Sequence, residues 1–114
     1  MRGKRVTLAP RKTKVNVVVV AARYEGEGED RLLRFAQVYE KHGAVWSDIK
    51  LYDRERLIEA LNEGKRVMSG RPGELATDFQ LDAPIRLEAA NGRERILGEG
   101  VDAGAGDDLG VPLV

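Results

Sequence analysis

Residues 31–43, RLLRFAQVYEKHG, decide the fold of this chain, because they satisfy the rules for two different elements. As a helix, the segment would place Leu32, Phe35, Ala36 and Tyr39 on one face. Acids precede it, Lys41 and His42 would close its last turn, and Gly43 would cap it. As a strand, Leu33, Phe35 and Tyr39 alternate with charge. The flanking sequence tips the reading to strand. Upstream, EGEGED (25–30) is a glycine-rich loop that would turn the chain into a hairpin with the segment before it. Downstream, AVWSDIKLY (44–52) alternates, with Val45, Ile49 and Leu51 on one side and Asp48 and Lys50 on the other. Trp46 and Tyr52 then fall on the Asp48 side, away from the core. With His42 and Gly43 as a turn, the three segments form a meander.

The first arm of that meander is VNVVVVAARY (15–24). Its valines favour a strand, because branching at Cβ suits the pleat. Residues 17–22 are apolar without alternation, so this strand should be central and covered on both faces. Before it, RVTLA (5–9) reads as a short strand ended by Pro10. After the meander, DRERLIEALNEG (53–64) reads as the firm helix. Asp53 is its N-cap, Leu57, Ile58 and Leu61 form its apolar stripe, and Gly64 stops it. KRVMSG (65–70) is a short strand, GRPG (70–73) a turn, and ELATDFQL (74–81) a strand carrying Leu75, Phe79 and Leu81. Residues 84–100 read as a hairpin turning at Asn91-Gly92. The expected fold is α+β and β-rich: a small antiparallel, partly closed barrel or meander sheet with one inserted helix at about 53–64. One globular domain should span 1–98 with a basic arm at 1–14, followed by a flexible, glycine-rich acidic tail at 99–114.

Charge is the most informative functional feature. Arg2, Lys4, Arg5, Arg11, Lys12 and Lys14 occupy the first fourteen residues, with no acid among them. With Arg23 the first 23 residues carry +7; the chain as a whole is neutral, with 19 basic and 19 acidic residues, so the remainder carries −7. Glu25, Glu27, Glu29 and Asp30 lie close behind the arm in sequence, where they could neutralise it.

Catalytic and metal chemistry finds little support. The chain has no cysteine and one histidine, His42, which falls in an expected turn. A zinc site would have to be built mostly from carboxylates. Ser47 and Ser69 lie outside any nucleophile-elbow pattern. GEGED and GRPGE lack the lysine-serine or lysine-threonine ending of a phosphate loop. Glu99, Asp102, Asp107 and Asp108 do not have calcium-loop spacing. No cofactor and no metal are expected. No apolar run approaches the ~20 residues of a membrane span. The longest is also too short and too β-branched for a signal peptide, so no membrane partner and a cytoplasmic location are expected.

The first reading is therefore a small non-catalytic binding or interaction module, with a protein partner or self-association. The alternative is a nucleic-acid-binding domain in which the arm residues contact phosphates and Trp46 or Tyr52 stacks on bases. The third is a small-molecule pocket or enzyme with Arg71 as an anion clamp in the SGRPGE turn.

Overall fold

Val15 and the four valines from Val17 to Val20 set up the strand around which the other elements are arranged. A computed structural model describes residues 15–73, 79–90, 92–100 and 106–114. Strand β1 (Val17–Glu25) lies between two partners, and Val17, Val18 and Val19 are buried, as a continuous apolar run requires. On one side β2 (Leu32–His42) pairs antiparallel, from Val17 opposite Glu40 to Glu25 opposite Leu32, with bulges between Val19 and Ala21 and between Arg23 and Tyr24. Residues 31–43 are thus strand. Leu33, Ala36 and Val38 join the core, while pairing with β1 satisfies backbone groups that a helix would have left open on that edge.

The far edge of β2 carries two short strands, β3 (Val45–Trp46) and β4 (Lys50–Asp53), where the sequence suggested one. Ser47 makes the break: its N–H donates to the Glu40 carbonyl at 2.8 Å, and its hydroxyl accepts from the Glu40 N–H at 2.9 Å. The alternation loses its phase across residues 47–49. Tyr52, expected outside, is only 4% exposed and packs in the core, whereas Leu51, expected inside, is 63% exposed. Val45 and Ile49 are exposed with it.

Helix α1 (Arg54–Asn62) starts where Asp53 accepts a hydrogen bond from the Arg56 N–H at 2.8 Å. Its Leu57 and Ala60 are buried in the same core as Val17, Val19, Ala36, Val38 and Tyr52. The helix returns the chain along one face of the sheet, so β5 (Val67–Pro72) runs parallel to β1, with Val67 opposite Val17. The sheet is therefore mixed, not purely antiparallel. β6 (Phe79–Pro84) pairs antiparallel with β5, giving the order β3-β2-β1-β5-β6. Trp46 at one edge meets Phe79 at the other, their rings 4.9 Å apart and 62° inclined, and Tyr39 stacks at 4.9 Å on the same Phe79. These rings draw the curled sheet into a half-barrel. The expected strands at 5–9 and at 74–78 lie outside the described residues.

A separate antiparallel hairpin is formed by β7 (Arg86–Ala90) and β8 (Arg93–Leu97), with Ala90 opposite Arg93 and Gly92 at φ 77°. It lends Ile96 to the core. On β8, Arg95 is 2% exposed, and its Nε and Nη1 have no hydrogen-bond partner among the described residues.

Residues 106–114 of the expected flexible tail are docked. The Asp108 backbone bonds to Ile96 and Gly98, and the Ala22 backbone bonds to Pro112 and Val114. Leu109 is buried in the main core. The anchor is Asp107, 0% exposed. Its Oδ2 accepts from the Leu33 N–H and Arg54 Nε, both at 2.7 Å, and its Oδ1 accepts from the Ile96 N–H at 3.0 Å. Gly106 permits this approach: its φ is 84°, and a Cβ there would lie 2.4 Å from the Gly28 carbonyl oxygen. Among the described residues, no helix is long and apolar enough to cross a membrane.

Candidate binding cleft

Three strand termini meet at one end of the sheet, and Asn16 ties them together. Its N–H donates to the Arg66 carbonyl at 2.9 Å, its side-chain oxygen accepts from the Arg66 N–H at 2.7 Å, and its carbonyl accepts from the Lys41 N–H at 2.9 Å. This joins the start of β1, the end of β2 and the start of β5. Beyond it the chain turns through Gly43, at φ 65°, into β3. The turn sets Trp46 directly opposite Lys41, whose ammonium lies 5.1 Å from the indole centroid.

These elements enclose a cleft of about 660 Å³ at the mouth of the half-barrel. Its walls are Val15, Ala44, Trp46 and Leu81, with Lys41 and Asn16 as the polar groups. A mostly apolar cavity with a few placed polar groups is the usual form of a ligand site.

A smaller cavity, about 200 Å³, adjoins it and is lined by Glu40, His42, Tyr52, Arg56 and Lys65 among others. The Tyr52 hydroxyl donates to Glu40, while His42 Nε2 lies 3.2 Å and Lys50 Nζ 3.8 Å from the same carboxylate. Burial first, then the hydrogen bond to Glu40 and the Glu40 charge, push the Tyr52 phenol up to about 12. The Tyr52 hydrogen bond in turn holds Glu40 below the usual carboxylate range. A phenol this reluctant to ionise is a poor base at neutral pH. The cluster locks β2 to β4, and Arg56 of α1 covers the Tyr52 ring at 4.7 Å. Among the described residues, no group of three or more histidine and carboxylate side chains could hold a metal ion.

Of the residues singled out in the sequence, Arg2, Lys4, Arg5, Arg11, Lys12 and Lys14 lie outside the described residues. Trp46 lines the cleft. Tyr52 does not: its burial in the core removes it as a stacking surface. Arg71 is not in a turn. It lies on β5, lines neither of these cavities, and donates from Nε to Gln80 at 2.8 Å. The sequence reading missed Lys41, Asn16 and Leu81, although Lys41 and Trp46 flank a glycine turn at hairpin spacing.

Charge is sorted along β1. Val15, next to the arm, lines the cleft, whereas the acidic loop 25–30 follows the other end of this nine-residue strand. At ~3.3 Å per residue the separation is about 30 Å, several times the ~8 Å screening length at physiological salt. Of the acids near that far end, three are matched within the body: Glu25 by Arg34, Asp30 by Arg93 at 3.1 Å, and Asp108 by Arg31 at 3.1 Å. At the cleft end Lys65 pairs with Glu63 at 3.4 Å. Lys41 and Arg66 have no carboxylate partner among the described residues.

These features define a class: an α+β half-barrel with a mostly apolar cleft beside Lys41. No protein-family model, curated protein or solved structure matches the chain.

Proposed function

We propose that this protein is a non-catalytic binding module whose partner is a polyanion, nucleic acid, taken at the cleft end of the half-barrel. One observation carries the reading: Val15, from which the six-cation arm runs, lines the same cleft as Lys41. Because the arm joins the chain at Val15, its charge would act beside Lys41 and Arg66. The acidic loop 25–30, which would repel a polyanion, follows the far end of β1, about 30 Å away, and Glu40 and Glu63 near the cleft face His42, Lys50 and Lys65. Six to eight phosphate contacts would release enough counterions to give a log–log salt slope between about −4 and −7. A cytoplasmic location, which the cysteine-free sequence suits, would put nucleic acid within reach.

The test is fluorescence anisotropy with a labelled oligonucleotide across a salt series. Deleting residues 1–14 should weaken binding at least tenfold and flatten the slope. Salt-independent binding, or full binding without the arm, would refute the reading.

A second reading, self-association, is favoured by the exposed Ile49 and Leu51 at the β4 edge. Sedimentation of a monomer at every concentration and salt would remove it.

A further inference from the structure

We infer that the cleft takes an unpaired nucleobase stacked on Trp46, so that single strands are the preferred form of the polyanion; this rests on the polyanion reading above. Charge alone would not distinguish single strands from duplex, but the cleft can. Its walls, Val15, Ala44, Trp46 and Leu81, are apolar, and its volume of about 660 Å³ is ample for a planar base. The Trp46 ring is braced by Phe79, so stacking needs little further ordering of the side chain. Lys41 places its ammonium 5.1 Å from the centroid of that ring. Lys41 is exposed and has no carboxylate partner among the described residues, so it is free to swing aside. A base arriving on the ring takes the place of the ammonium, which then meets the adjoining phosphate. One cation–π contact is thereby exchanged for a stacked pair and an ion pair.

A duplex cannot make this exchange cheaply, because its base faces are already stacked and a base must be flipped out to reach the cleft. A single strand offers free faces to an aromatic side chain beside a positive groove. A protein partner would be held by the apolar walls but would give the exposed Lys41 no phosphate.

The experiment titrates the full chain with a single-stranded oligo(dT) and with a DNA duplex of equal phosphate number at one salt concentration. Anisotropy and the emission of Trp46, the chain's one tryptophan, are both recorded. The single strand is expected to bind about tenfold or more tighter and to quench Trp46. Trp46→Leu should weaken single-strand binding about 10- to 100-fold, and so reduce or remove the preference over duplex. Because Trp46 also packs on Phe79, a second variant, Ala44→Glu, puts a carboxylate into the cleft from an exposed turn and should likewise abolish the preference. Equal affinity for the two probes, or unchanged Trp46 emission on single-strand binding, overturns the inference and leaves polyanion binding standing. Binding of neither probe overturns the polyanion reading itself.

Discussion

Replacing Asp107 by alanine should come close to unfolding the protein. The carboxylate is fully buried and serves three elements at once: the Leu33 amide of β2, the Ile96 amide of β8, and Arg54 at the start of α1. Removing it strands two buried backbone N–H groups, each worth about 1–3 kcal/mol when left unpaired. It also breaks an ion pair by deleting one partner, about 3–5 kcal/mol in a fully buried setting. The Arg54 side chain is 25% exposed and can turn partly to water, so the low end applies, and the contributions overlap. The expected loss is about 4–6 kcal/mol, against a total stability of roughly 5–15 kcal/mol for a single domain. In urea, with m of about 2 kcal/mol/M, the midpoint should fall by about 2–3 M. Trp46 emission and far-ultraviolet circular dichroism would both report it. Asp107→Asn keeps one acceptor but faces an amide donor with its own NH₂, and should lose about half as much. The neighbouring Asp108→Ala removes only a part-exposed pair with Arg31 and a local turn bond, and should cost about 1 kcal/mol. An Asp107→Ala midpoint within about 0.5 M of wild type would refute the anchoring argument.

Gly106→Ala should destabilise by at least about 3 kcal/mol, because a methyl there meets the Gly28 and Arg31 carbonyl oxygens at 2.4 and 2.9 Å. Gly110→Ala, with a similar positive φ and open space around it, should cost only about 1 kcal/mol; equal losses in thermal melts would remove the close-approach argument. The raised Tyr52 phenol keeps its proton in the folded state after the unfolded state has lost its own near pH 10. Stability should therefore be full below pH 10 and decline as pH rises towards about 12; Tyr52→Phe should abolish that part of the decline, and a persisting slope would assign it elsewhere. Arg95→Met should leave thermal stability unchanged or raise it, since it replaces a buried cation whose Nε and Nη1 lack partners among the described residues with an apolar chain; a loss above about 2 kcal/mol would mean that the guanidinium has a partner.

The parts of the fold legible in the sequence are those set by neighbours in the chain. Asp53 and Gly64 bracket α1, β7 and β8 pair as a hairpin, and the unbroken valines mark the central strand. What could not be read depends on distant residues. Local rules left residues 31–43 between helix and strand, and pairing with β1 and β4 resolves them. The phase of residues 44–52 turns on how Ser47 bonds to Glu40. The parallel β1–β5 pairing joins residues fifty positions apart. Asp107 looked like one acid in a polar tail, because its partners Leu33, Arg54 and Ile96 become neighbours only on folding. In the candidate cleft, Trp46 was visible by type. Its exposed face was not, since that depends on Phe79 arriving from the opposite edge of the sheet.

The late placement of β1's last partner bears on how the chain is made. β5 pairs with β1 over Val17–Val19, and further along the strand the backbone of Ala22 is satisfied by Pro112 and Val114, some ninety residues later. During synthesis the valine-rich strand emerges some ninety residues before this edge can be closed. Contacts of such long sequence separation slow folding, and an unpaired apolar strand invites pairing with another nascent chain. Truncated products that stop short of residue 106 should accordingly be found in aggregates or bound by chaperones.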